Sequence, residues 1–130
     1  MPGKILLVDD DPVLTETTKE ALEINDYTVA VAGDGEAALR IAKAEKPGLI
    51  LMDYTLPGGM NGYQACQAIK NDPQTSGIPV VLLTGRDKSD IESHDSQSPG
   101  KGPDAYIKKP YDMAKLIETC EKLIRPPGAL

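Results

Sequence analysis

Residues 49–62 read LILMDYTLPGGMNG, an apolar run that ends on Asp53 and gives way to a loop rich in Gly with one Pro. The continuous apolarity of Leu49–Met52 is that of a strand buried on both faces, as in a parallel sheet covered by helices. Three more runs have the same form: ILLV (5–8) meets Asp9 and Asp10, VVLL (80–83) meets Thr84, and AYIK (105–108) meets Lys109. If these runs are neighbouring parallel strands, all five polar side chains gather at one edge of one sheet. Such an edge suits a cation and a phosphoryl group.

Outward from residue 49, strands and helical patterns alternate along nearly the whole chain. Strands are expected over Lys4–Val8, Thr28–Val31, Leu49–Met52, Pro79–Leu83 and Ala105–Lys108. Helices are expected over Pro12–Ile24, with Asp11 as N-cap and Pro12 at the first helical position, and over Gly35–Glu45, Tyr63–Asn71 and Met113–Ile124. The last of these places Met113, Leu116, Ile117, Cys120, Leu123 and Ile124 on one face. The expected fold is α/β: a doubly wound, five-stranded parallel sheet with helices on both faces, flavodoxin-like, joined by right-handed crossovers. Ligands of such sheets lie beyond the carboxyl ends of the strands, which brings Asp9, Asp10, Asp53, Thr84 and Lys109 together. Residues 86–103, RDKSDIESHDSQSPGKGP, carry only Ile91 as a large apolar side chain. A helix there buries little, so the fourth helix is expected to be short or irregular, around Lys88–Ser93, with a mobile loop after it.

The 130 residues fit one domain, and the expectation is a single unit without an output domain, with the terminal PPGAL reading as a natural end and excision from a larger chain left open. No apolar run approaches the roughly 20 residues that span a bilayer, and no cleavable apolar leader opens the chain, so no membrane association and a cytoplasmic location are expected. A net charge of −6 argues against direct nucleic-acid binding, which depends on Lys and Arg neutralising phosphates. Cys66 and Cys120 read as separate core thiols, and the one histidine, His94, as a solvated side chain.

Carboxylates about 4 Å apart repel by roughly 1–4 kcal/mol per pair, so the expected acidic cluster calls for a cation. Mg²⁺ fits, as it takes hard oxygen ligands and bridges carboxylates to phosphates. Asp53, at the end of a central strand before a turn that leaves space above it, is the expected nucleophile. Phosphoryl transfer then asks for charge neutralisation around the phosphorus, from the cation, Lys109, and the Thr84 hydroxyl with nearby amides.

Taken together, ILLVDDD, LILMDYTLPGGMNG, VVLLTG and AYIKKPY, in this order, resemble the receiver domain of two-component response regulators. The resemblance implies that Asp53 is phosphorylated by a phosphohistidine of a sensor histidine kinase or histidine phosphotransfer protein. It implies Mg²⁺ held by Asp9, Asp10, Asp53 and the backbone carbonyl of Thr55. Thr84 and Lys109 would engage the phosphoryl group, and Tyr106, with Thr84, would form the switch. The domain would catalyse its own phosphoryl transfer and a slow autodephosphorylation, with Thr55 and Arg86 influencing its lifetime. It would act as a stand-alone regulator or relay intermediate, a monomer or weak dimer with a downstream protein of unknown identity. Two departures stand out: LPGGMNG has one Gly more than the family's usual spacing, and the stretch between Thr84 and Tyr106 is a few residues longer than usual.

Other classes fit less well. Asp9–Asp10–Asp11 after a strand also resembles the DxD motif of haloacid dehalogenase-type phosphatases, but that reading leaves Asp53 without a role. A flavin or nucleotide site needs a phosphate-cradling loop after the first strand, where this chain has three acids. A scaffold acting by protein contact alone leaves the set of five residues unused.

Overall fold

The computed structural model describes residues 3–85 and 102–125. The five strands are β1 (Lys4–Val8), β2 (Thr28–Ala32), β3 (Leu49–Asp53), β4 (Val80–Thr84) and β5 (Ala105–Lys108). Four helices alternate with them among the described residues: α1 (Pro12–Ile24), α2 (Gly35–Glu45), α3 (Gly62–Asn71) and α4 (Met113–Leu123). The irregular fourth helix expected from residues 86–103 falls almost wholly outside the described residues, as do Arg86, His94 and the terminal PPGAL.

All strand pairs are parallel, in the order β2-β1-β3-β4-β5. The alternation of side chains divides the core into two layers. Leu6 and Val8 of β1, Ile50 and Met52 of β3, and Val80 and Leu82 of β4 pack with Ala38, Ala42, Ala65, Cys66 and Ile69 of α2 and α3. The intervening Ile5, Leu7, Leu49, Leu51, Val81 and Leu83 pack with Leu22 of α1 and Leu116 and Cys120 of α4. Because both faces are covered, β3 and β4 are buried along their whole length, which is why they read as unbroken apolar runs.

The first three helices end where expected, and α4 stops at Leu123, one residue short of the expected Ile124, which serves as its C-cap. Asp11 caps α1, its side chain accepting from the backbone N–H of Val13 and Leu14, with Pro12 at the first position. Strand β4 begins at Val80 rather than Pro79, which has no N–H for the ladder. Its start is bracketed by Asp104, whose N–H donates to the Val80 carbonyl and whose carboxylate accepts from the Val80 N–H. Lys70 joins the same bracket, 2.6 Å from the Asp104 carboxylate and donating to the Ile78 carbonyl. Helix α3 begins at Gly62, one residue earlier than its apolar pattern suggests. A capping box drives this start: Asn61 accepts from the Gln64 N–H, and the Gln64 side chain accepts from the Asn61 N–H.

Candidate functional site

Strand β1 passes to β2 on one side of the sheet, and the chain then returns to β3 on the other side of β1. This reversal opens a crevice above the carboxyl ends of β1 and β3. Val8 and Met52 are register partners, so the acids that follow them, Asp9 and Asp53, stand side by side over the crevice. Asp53 is paired with Leu83, which sets Thr84 one step further along the same edge, and Thr84 is paired with Lys108, which sets Lys109 a step beyond that. Parallel register thus gathers residues as far apart in the chain as Asp9 and Lys109, 100 positions.

The carboxylates of Asp9, Asp10 and Asp53 each offer an oxygen, and the three oxygens lie within 4.8 Å of one another. Asp9 is 4% exposed and Asp53 6%, whereas Asp10 opens to solvent. A set of oxygens that is two parts buried and one part open suits a hard divalent cation that keeps some of its water. The half-buried Lys109 reaches across from β5, its Nζ 3.0 Å from Asp53 Oδ1 and 3.4 Å from Asp9 Oδ2. Among the described residues, one ammonium faces three carboxylates, a net negative set. The surrounding Val8, Met52 and Leu83 are fully buried, and their packing, about 1.5–3 kcal/mol each, offsets repulsion of comparable size.

Burial pushes the Asp53 carboxyl up from its ordinary value; Lys109 draws it back through a hydrogen bond and its charge, while Asp9 and Asp10 push it up further. For Lys109, burial works downward, but the hydrogen bond and charge of Asp53, followed by Asp9, outweigh it and hold the ammonium above the usual lysine range. The upward shift of Asp53 means that a proton binds there more readily than at an isolated carboxylate.

Backbone contacts hold the strand ends. The Asp9 carboxylate accepts from the Asp11 N–H at 3.0 Å, and the Lys109 N–H donates to the Thr84 carbonyl at 2.8 Å. The Tyr54 N–H donates to Leu83, fastening the residue after Asp53 to β4. The Lys109–Pro110 bond is cis. Thr84 is buried, Thr55 is exposed two positions after Asp53, and Tyr106 is half-buried beside the first core layer, in register with Leu82. Asp11, the second acid of the phosphatase-like motif, has its carboxylate engaged in capping α1.

Two features of the site escaped sequence reasoning. The first is Gly62, whose N–H donates to the Tyr54 carbonyl and whose Cα lies so close beneath Asp53 that a Cβ there would collide with the Asp53 carbonyl. A glycine ending a Gly-rich loop gives no local sign of this approach. The second is a hydrogen bond of 2.8 Å between the hydroxyls of Thr18 on α1 and Tyr111 after β5. Its signal was present, since Thr18 falls between Leu14 and Leu22 on the inner stripe of α1.

Cys66 and Cys120 are both free and buried, one in each core layer. No helix among the described residues is long and apolar enough to cross a membrane.

Residues 5–121 match the family model of the response regulator receiver domain. The chain is 34% identical over 124 residues to the DNA-binding dual master transcriptional regulator RpaA of Synechocystis, covering 94% of this chain and 49% of that protein. It is 33% identical over 122 residues to the protein PilH of Pseudomonas aeruginosa, covering 94% of this chain and 98% of PilH. The chain thus spans about half the length of the first and nearly all of the second. Among solved structures it resembles the receiver domain of a sensor histidine kinase from Pseudomonas aeruginosa, crystallised with a magnesium ion coordinated in the active site cleft. That likeness has a TM-score of 0.83 at 28% identity and covers 95% of this chain and 98% of the other. A phosphate-suited edge on a 2-1-3-4-5 parallel sheet and a family match over almost the whole length lead to one conclusion: the chain belongs to the response regulator receiver domains, the phosphoacceptor signalling domains of two-component systems.

Proposed function

We propose that Asp53 is the phosphoacceptor and that Asp9, Asp10 and Asp53, with the backbone carbonyl of Thr55, hold Mg²⁺. The observation that carries this reading is the Lys109 ammonium 3.0 Å from Asp53 Oδ1 beside a three-carboxylate cluster. The all-oxygen donor set fits the cation, and the magnesium reported in the related kinase receiver domain supports the assignment.

In the transfer step an Asp53 oxygen attacks the phosphorus of a phosphohistidine. The P–N bond breaks, its electron pair stays on the imidazole, and the imidazole takes up a proton. When bound, the cation supplies positive charge for the carboxylates and for one phosphoryl oxygen. Lys109 releases Asp53 and pairs with a second oxygen, and the Thr84 hydroxyl with nearby amides takes a third. Water attack on the aspartyl phosphate reverses the state slowly.

Readout follows from Thr84. Its hydroxyl moves toward the phosphoryl group, and Tyr106, on the adjacent strand, turns into the space left behind. The donor is a sensor histidine kinase or a histidine phosphotransfer protein. The domain then acts through reversible association with a downstream protein, or passes the phosphoryl group on, without contacting nucleic acid itself.

A beryllofluoride titration with Mg²⁺, followed by amide NMR, tests the reading. Saturable binding in the wild type, lost in Asp53→Asn, with shifts reaching Thr84 and Tyr106, is the expected result. Binding retained by Asp53→Asn but lost by Asp9→Asn overturns it in favour of phosphatase-like chemistry at Asp9.

A further inference from the structure

Lys109 bears on the Asp53 and Asp9 carboxylates from the end of a long, flexible side chain, so its precision depends on how firmly its backbone is held. On the sheet side it is held by its N–H, which donates to the Thr84 carbonyl at 2.8 Å. Two residues further on, the chain is fastened again, this time to a different element. The Tyr111 hydroxyl meets Thr18 Oγ1 at 2.8 Å, and Thr18 is 0% exposed in the middle of α1.

Helix α1 grows directly out of the acidic loop, since Asp11 caps it and the Asp11 N–H donates to Asp9. The Thr18–Tyr111 bond therefore ties the side of the site that carries Asp9 and Asp10 to the side that carries Lys109. Tyr111 packs its ring against the second core layer, so the ring supplies burial and the hydroxyl supplies the cross-link. The hydroxyl also lies within reach of the site's charges. Burial raises its pKa, the bond to Thr18 and the Lys109 charge lower it, and the Asp9 and Asp53 carboxylates raise it again, leaving it protonated.

We propose that the Thr18–Tyr111 hydrogen bond is a positioning device for Lys109, clamping the Lys109–Pro110 turn to the helix that carries the acidic loop. This inference rests on the role proposed above for Lys109. Both hydroxyls are drawn from the core and neither touches the phosphoryl group, so the pair acts on transfer only through where the ammonium stands. Opening the clamp leaves the three acids in place and loosens the cation that faces them.

The test uses the full chain, phosphoramidate as a small phosphoryl donor, Mg²⁺, and intact mass to count phosphoryl groups. Tyr111→Phe keeps the ring and removes the hydroxyl; Thr18→Val keeps the shape and removes its partner. Each is expected to slow Asp53 phosphorylation by about 3- to 10-fold, the range of one neutral hydrogen bond. The double variant is expected to be no slower than the slower single one, because both remove the same bond. Mg²⁺ affinity by calorimetry should stay within about twofold of the wild type, since a change of that size is smaller than half a kcal/mol. Thr18→Ser, which retains a hydroxyl, should keep the wild-type rate, a rescue that a purely packing role for Thr18 does not produce.

A Tyr111→Phe rate equal to the wild type, or losses that multiply in the double variant, overturns the clamp while Asp53 remains the acceptor. A wild type that takes up no phosphoryl group on Asp53, judged against Asp53→Asn, overturns the underlying reading and the clamp with it.

Discussion

The Lys109 ammonium stands 3.0 Å from Oδ1 of Asp53, across two strand positions of one sheet edge. This pair joins the residue that ends the central strand to the residue that follows the last one. Among the described residues it makes Lys109 the cationic partner of the buried Asp53, a partner shared with Asp9, amid two further acids.

Removing that partner leaves the acids uncompensated. Lys109→Met is expected to raise the Asp53 carboxyl pKa further, read by carboxyl carbon NMR in metal-free buffer, because the lowering influence on Asp53 comes from Lys109. With phosphoramidate and Mg²⁺, the phosphorylation rate should fall by about 10- to 100-fold, in keeping with loss of one preorganised cation. A rate unchanged in Lys109→Met removes the lysine from the transfer step.

The stability of the metal-free protein should fall as pH rises through the Asp53 titration. The folded carboxyl releases its proton at a higher pH than the unfolded one, whose value lies near 3.8. From that pH upward to the folded pKa, the native state holds more protons than the unfolded state, so each step up in pH costs stability, and the loss persists above the window. Asp53→Asn abolishes this loss. It should melt above the wild type at pH 7 without divalent cation, and the gap should close below pH 3.8, as followed by circular dichroism. Added Mg²⁺ should raise the wild-type melting temperature more than that of the variant. A variant that melts at or below the wild type at pH 7 contradicts the argument.

Gly59, in the loop after β3, and Gly62, three residues on at the start of α3, should respond oppositely to alanine. A Cβ on Gly62 meets the Asp53 carbonyl, whereas nothing lies within 4 Å of one on Gly59. Gly62→Ala is expected to cost about 1–3 kcal/mol in urea unfolding and to weaken beryllofluoride binding, because relief of the clash must move the Asp53 backbone. Gly59→Ala should stay within about 0.5 kcal/mol and bind normally. Equal behaviour of the two variants argues against the close approach.

The two cysteines should be silent in the folded protein. Burial pushes each thiol up to about 12, and Lys70 only partly relieves this at Cys66. At pH 8 the thiolate fraction is then on the order of one in ten thousand. A disulfide reagent at pH 8 should label neither thiol natively and both in guanidinium chloride. Fast native labelling of either one places it outside the core.

Much was legible from local pattern alone. The unbroken apolar runs at 5–8, 49–52 and 80–83 reveal strands covered on both faces, since burial on two sides removes the polar alternation. Asp11 and Pro12 announce a helix start because backbone geometry there is set by neighbours in sequence. The sequence pattern started α3 one residue late, at Tyr63, although Asn61 and Gln64 spell the capping box that starts the helix at Gly62. With parallel strands assumed, the residues at the strand ends, Asp9, Asp10, Asp53, Thr84 and Lys109, could be grouped before any distance was known.

The sequence by itself determined which segments are strands and helices and which polar residues end them, because those properties follow from periodicity, capping and chain direction. Only the tertiary structure decided that β1 lies between β2 and β3, that Asp9 and Asp53 are register neighbours, and that Lys109 turns toward both. It alone revealed the Gly62 approach and the bond of Thr18 to Tyr111, 93 positions away. Strand order, register and hydroxyl partners depend on how distant segments pack. The short-range patterns carried by an amino-acid chain do not encode them one residue at a time.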